Sequence, residues 1–413
     1  MKTLENGYLI CEKGISKGIF PEIPEKYSSF PVVDYGNAII IPGLCDLHIH
    51  APQYAFRGLG MDLELLDWLN KYTFPEESKY VEIDYANVAY DIFTEALKCG
   101  ATTRASVFAT LHTPATVLLM EKLEHSGLAT FVGKVSMDRN CPDILRSKGA
   151  EAAYLAAKAW IISTKDRFKN TSPILTPRFI PACSDELMGR LKELQTEYGL
   201  PVQSHLSENK SEIAWVKELC PEAGSYADAY DSFGLFGGEG VPTVMAHCVW
   251  SEGSEESLIR QNGVYVAHCP QSNMNLSSGV APIRRFLNSG IRVGLGSDVA
   301  GGCQTSIFRA MCDAIQVSKL YWRLVDQKDA PLSVQEAFYL GTAGGGSFFG
   351  KVGSFDEGYE FDAVVIDDSG IPSSNPLSLE ERLARIIYLS DDSCICDKYV
   401  RGRKIDIGGG VYK

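Results

Sequence analysis

Long apolar runs are missing from this chain. No stretch of about 18 apolar residues occurs, so nothing in it is expected to span a membrane. Clustered lysine and arginine are missing too, and the net charge is −13. A negative protein without a basic patch has no general attraction for phosphates, so DNA and RNA are set aside as partners. The twelve cysteines are scattered and form no C-x-x-C pair. The first residues, MKTLENGYLI, lack the apolar core and small-residue cleavage site of a signal peptide. Free thiols in a reducing cytoplasm are the expectation. No internal repeat or low-complexity linker is visible. Histidine is scarce, with seven in 413 residues.

What is present supports a large core, since 45% of the chain is hydrophobic. The length suits two or three domains, or one large barrel with an appendage. Candidate strands fall at 44–50, 102–108, 130–135, 174–179, 202–206, 243–247, 264–268 and 293–297. Helical patterns lie between most of them. Residues 83–98 carry apolar side chains at helical spacing, and Ser184 with Asp185 and Glu186 reads as a helix start. Eight strands alternating with helices predict an α/β fold, a (β/α)8 TIM-type barrel.

A helical region is expected at about 304–349, with a capping box from Ser333 to Glu336 and an interruption at Gly344-Gly345-Gly346. Short strands are expected at 7–10, 31–33 and 38–41, again at 361–366, and in a hairpin over 399–405 that turns at Gly402. Both chain ends are therefore β-rich. The expectation is a small composite β-sandwich domain built from 1–41 and 351–413, flanking a barrel of 42–350.

The histidines are not scattered. Alternate residues of a strand face the same way, so His48 and His50 can present two imidazoles to one point. Two such imidazoles suit a divalent transition metal. His205, His247 and His268 end candidate strands five, six and seven, and Asp298 ends the eighth. Catalytic and metal groups of such barrels sit at the C-terminal strand ends. His112 and His125 belong to no such pattern.

Several runs carry a resemblance. They are His48-Ile-His-Ala-Pro-Gln53, Trp68-Leu-Asn-Lys-Tyr-Thr-Phe-Pro75, Phe131-Val-Gly-Lys-Val135, Thr176-Pro-Arg-Phe179, Ser204-His-Leu-Ser-Glu208 and Gly296-Ser-Asp-Val-Ala-Gly-Gly302, with a weaker echo in Tyr388-Leu-Ser-Asp-Asp392. The chain resembles the amidohydrolase superfamily, and within it the guanine deaminases, from about residue 41 to 302. The resemblance implies one zinc per chain held by His48, His50, His205 and Asp298, with ferrous iron as the other metal that suits the set. It implies that Glu208 shuttles protons, that His247 orients the attacking water, and that Asp298 acts as ligand and base. Gln53, Arg178 and Phe179 match positions that grip the purine, with His205, Glu208 and Asp298 also lining its site. It further implies a small-molecule substrate, guanine, and a homodimer. Ser297 stands where some members have Thr, and Cys248 where some have Gly.

Elementary chemistry agrees with these roles. Deamination of a purine needs protons delivered first to a ring nitrogen and then to the departing amine, and a cycling carboxylic acid such as Glu208 suits both. No lysine lies between Ile174 and Phe179, where two-metal relatives carry a bridging one, so one metal is expected. Lys134 and Cys45 read as structural, and His268 as structural or near the metal. Two alternatives stay open: another ring deaminase or chlorohydrolase on the same barrel, and a non-catalytic scaffold. The unrelated zinc-deaminase fold is excluded, since neither H-x-E nor P-C-x-x-C occurs.

Overall fold

The run Leu44–His50 is buried along its whole length. A strand buried on both faces belongs in a parallel sheet covered by helices, and this one is the first stave of a barrel. The computed structural model describes residues 2–408. From Leu44–His50 the parallel order runs through Thr102–Phe108 and Ala129–Gly133 to Thr171–Pro173. A short continuation pairs Val135–Ser136 with Thr176–Pro177. A bridge from Leu175 to Val202 then leads into Val202–Leu206, Thr243–His247, Tyr265–His268 and Arg292–Leu295. Backbone bonds from Asp298 N to His48 O (2.8 Å) and from His50 N to Val299 O (3.1 Å) join the eighth strand end to the first. Gly296 sits at that seam. A Cβ there would lie 2.9 Å from His48 Cβ and 2.8 Å from Cys269 Sγ, so only glycine allows the approach.

Strands one, two, five and six fall where the sequence places them. The fourth does not: the expected strand at 174–179 is two short pieces, ending at Pro177. Pro173 and Pro177 have no N–H to donate, and at residues 174 and 175 the backbone bonds shift from strand three to the segment before strand five. The helix Ile83–Cys99 forms, as does Asp185–Tyr198, whose cap Ser184 accepts from Leu187 N. The region after strand eight resolves into Ile307–Leu324 and Val334–Tyr339, the latter opened by the Ser333–Glu336 capping box. A π-turn over Leu340–Gly344 follows it, and helical backbone continues through Gly345 and Gly346 into a 3-10 turn at Ser347–Phe349, so the glycine run interrupts the α-helical pattern without ending it.

At the chain ends, Ile39–Pro42 pairs antiparallel with Ala363–Ile366, which continues into Ile395–Val400 and Arg403–Ile405. A separate hairpin, Tyr8–Glu12 with Ile15–Phe20, touches this region through Ser16 N to Tyr359 O (2.8 Å). The expected strand at 31–33 is absent: Val32 and Val33 are 61% and 63% exposed, and Pro31 removes a donor.

Lys398 ties the sheet of the chain ends to the barrel. It is fully buried, and its ammonium donates to the carbonyls of Leu97 (3.4 Å), Gly100 (2.7 Å) and Thr102 (3.0 Å). The first closes the C-terminus of helix Ile83–Cys99, where a cation also meets the favourable end of the helix dipole. Lys398→Met is expected to lower stability by about 2–4 kcal/mol, because buried carbonyls lose their donor. Urea unfolding checks this, and an unchanged midpoint would remove the tie.

Candidate active site

Period-two spacing brings His48 and His50 to one point, with their Nε2 atoms 3.1 Å apart. His205, at the end of strand five, places its Nε2 3.3 Å from that of His50. Asp298, just beyond strand eight, brings Oδ1 to 3.1 Å from His48 Nε2 and 3.4 Å from His50 Nε2. Ligand atoms at about 2.0–2.1 Å from a zinc ion stand about 3.3–3.4 Å apart at tetrahedral corners. The observed spacings match, so these residues fit a divalent metal. Burial pushes the imidazoles of His48 and His205 below their ordinary range and that of His50 down to about 4, keeping lone pairs available for a metal.

Partners outside this cluster fix its orientation. His205 Nδ1–H donates to Arg178 O at 2.6 Å, which turns Nε2 toward the cluster. Asp46 accepts from the backbone of His48 and Ser297, both at 3.1 Å, and from Ser297 Oγ at 2.5 Å, clamping strand one against strand eight. Beneath lies a polar floor in which Gln203 joins Ser106 (2.7 Å) and Thr176 (2.9 Å).

Glu208 and His247 stand beside the cluster. His247 Nδ1–H donates to Asn273 Oδ1 at 2.9 Å, leaving Nε2 3.4 Å from Glu208 Oε2 and 3.7 Å from Asp298 Oδ2. Ser278 Oγ donates to Glu208 Oε1 at 3.1 Å. Burial, with Asp298 adding repulsion, pushes the Glu208 carboxyl up to about 8, so at neutral pH it holds a proton. Helix Lys210–Leu219 follows directly, and the Glu212 carboxylate of its capping box accepts from Glu208 N at 3.1 Å. His247 (φ +74) and Asp298 (φ +46) both adopt left-handed backbone, rare for side chains of this size and common where sites are built.

On the other side of the site Gln53 and Arg178 converge on one carboxylate, Glu77. Arg178 donates from Nη1 to Oε2 (2.6 Å) and from Nη2 to Oε1 (3.1 Å), and Gln53 Nε2 donates to Oε1 (2.9 Å). Gln53 Oε1 accepts from Ala300 N (3.3 Å), and Phe74 packs under the guanidinium at 5.3 Å. Phe179 is buried in the apolar core, edge-on to Trp215 with centroids 6.2 Å apart. His268 is buried, and neither of its ring nitrogens has a partner among the described residues. His112 and His125 lie outside the cluster, and Cys45 is a buried thiol. Glu77, Asp46, Asn273 and Ser278 are the site partners that the sequence reading does not identify.

The comparisons with known proteins agree with this geometry. Residues 39–405 match the amidohydrolase family. A guanine deaminase of Dictyostelium discoideum is 39% identical over 390 residues, covering 91% of this chain and 84% of that protein. That of Escherichia coli K12 is 35% identical over 421 residues, covering 98% and 92%. The solved guanine deaminase of C. acetobutylicum with bound guanine in its active site superposes with a TM-score of 0.94 at 49% identity, covering 97% of this chain and 94% of that one. Among the described residues no helix is long and apolar enough to cross a membrane. A strand-end cluster of three histidines and an aspartate, on a barrel that matches these proteins along nearly its whole length, places the chain in the amidohydrolase family, among the guanine deaminases.

Proposed function

We infer that this protein hydrolyses guanine to xanthine and ammonia, breaking the exocyclic C–N bond at C2. The observation that carries the inference is two walls of side chains that meet at Arg178, whose carbonyl accepts from His205 Nδ1 while its guanidinium joins Gln53 on Glu77. One wall is the converging donor set His48, His50, His205 and Asp298, with Glu208 and His247 beside it. The other is the pair Gln53 and Arg178. We assign one zinc per chain to the donor set, ferrous iron being the other suitable metal. When bound there, such an ion polarises water so that it becomes nucleophilic at neutral pH.

The remaining work falls to the chain itself. Arg178 and Gln53 hold the C6 carbonyl edge of guanine, which turns C2 toward Glu208 and Asp298. Phe179 and His205 complete the wall around the ring. Asp298 and His247 orient the attacking water, and Asp298 takes up its proton. Glu208 gives a proton to N3 as the ring carbon becomes tetrahedral, then passes the proton of the new C2 hydroxyl to the amine as it leaves, and the proton held by Asp298 returns to Glu208 to restore the site. Overall, guanine and water become xanthine and ammonia, with no redox change. Residues 1–41 and 351–413, of which 1 and 409–413 lie outside the described residues, are taken as a composite β-sandwich domain around the barrel of 42–350, and the enzyme as a cytoplasmic homodimer.

Ammonia release from guanine by the purified protein is the direct test. Elemental analysis is expected to find one metal equivalent per chain, since strand four offers no bridging lysine. Two equivalents in active enzyme would overturn the single-metal assignment. His205→Ala is expected to lose metal and activity together, and activity surviving at full metal loading would remove His205 from the ligand set.

A further inference from the structure

We propose that Glu77 is a positioning residue that sets the purine-reading pair, and that guanine selectivity depends on it. This rests on the reading that Arg178 and Gln53 grip the base. Glu77 lies on the short helix Phe74–Ser78, and its side chain is 3% exposed. Its two oxygens take three N–H groups, two from Arg178 and one from Gln53. A guanidinium has five N–H groups and a carboxamide two. Three on Arg178 and one on Gln53 are therefore left, with no acceptor among the described residues. The Arg178 side chain is 4% exposed, and donors on so buried a side chain need an acceptor. A purine carbonyl and ring nitrogen supply acceptors of the right kind.

Charge points the same way. Arg178 stands beside the donor cluster, its carbonyl accepting from His205 Nδ1 at 2.6 Å. An uncompensated guanidinium there would carry a large desolvation cost and repel a bound cation. Glu77 neutralises it while leaving its outward donors free. Because Oε1 is shared between Arg178 and Gln53, the two donor groups are held in one fixed relation. Phe74, three residues before Glu77, braces the guanidinium face. One short segment thus sets the angle of both reading groups.

Four proteins test this: Glu77→Gln, Glu77→Asp, Arg178→Ala and the Glu77→Gln/Arg178→Ala double variant. Each is assayed as metal-loaded enzyme with guanine, after metal content and thermal midpoint are measured. Glu77→Gln keeps the volume but loses the charge and one acceptor. It is expected to raise KM by about 10- to 100-fold with a smaller change in kcat, the scale of a displaced binding group. Glu77→Asp keeps the charge on a shorter arm and should raise KM in the same direction, which covers the case in which Glu77→Gln does not fold. In the Arg178→Ala background, Glu77→Gln should add less than about twofold, because residues that act through one another are not additive. An unchanged KM in folded, metal-replete Glu77→Gln, or a fully additive double variant, overturns the proposal while Arg178→Ala still reports on base reading. A silent Arg178→Ala removes the base-reading assignment itself, and this proposal with it.

Discussion

Glu208→Gln is expected to keep its metal and its fold and to lose at least about 10² in turnover, the usual size for a proton-transfer group. The geometry makes the test clean. Glutamine has the volume of glutamate, and its carbonyl oxygen can still accept from Ser278 Oγ, as Glu208 Oε1 does at 3.1 Å. The backbone is held independently, by Glu208 N donating to Glu212. The only chemical loss is the titrating proton. Burial pushes that carboxyl up to about 8, and Oε2 faces the cluster through His247. An amide cannot give up a proton to N3 and then pass one on to the departing amine. Steady-state kcat, with metal content measured on the same sample, is the check. Near-normal turnover in metal-replete Glu208→Gln would show that another group carries the proton.

Of the candidate metal donors, His48 and His50 are legible through strand periodicity, while His205 and Asp298 read only as candidate strand ends and enter the set through the resemblance to the amidohydrolases. The partners were not legible, because nothing local links them. Glu77 is 24 residues from Gln53 and 101 from Arg178, and only closure of the barrel brings the three together. Asp46 reads as part of a strand, and its bonds to Ser297 span 251 residues. Asn273 lies on the short helix Pro270–Asn275 after strand seven and Ser278 just beyond it, and a helix this short gives their side chains no periodic signature.

Some misses in the fold have the opposite character. Helix Leu379–Leu389 opens with a capping box of Ser378 and Glu381, a signal present in the sequence but not read as a helix start. The apolar pair Val32-Val33 mimics a strand, yet no sheet edge receives it and both residues face solvent. Strand four shows a conflict between composition and pairing. Its apolar centre suggested one element, but two prolines and a change of neighbour divide it. That division has a consequence for the site. It brings the Arg178 carbonyl to His205 Nδ1 at 2.6 Å while the Arg178 side chain reaches Glu77, so one residue serves both groups of the site.

Guanine is expected to be favoured by about 10⁴ over a purine lacking the C6 carbonyl, the scale reached when a site built to hydrogen-bond a group is offered an analogue without it. Guanine has a carbonyl at C6 and an amino group at C2. 2-Aminopurine keeps the amino group and lacks the carbonyl, so it isolates the contribution of that edge. Adenine lacks both features, and as a second comparison it should not release ammonia at a rate near that of guanine. The discrimination comes from the unassigned N–H groups of Arg178 and Gln53, which stay buried without an acceptor when the carbonyl is missing. Arg178→Ala removes most of those donors. It should raise KM and lower kcat/KM for guanine with metal content intact, since His205 bonds to the backbone carbonyl of Arg178 and not to its side chain. The same variant should narrow the gap between guanine and 2-aminopurine, because the penalty for leaving donors unpaired goes with the donors. Steady-state kinetics of both enzymes on guanine, 2-aminopurine and adenine decide the matter. Equal deamination of guanine and 2-aminopurine by the wild type, or an Arg178→Ala variant with unchanged kcat/KM, would place base reading elsewhere in the pocket.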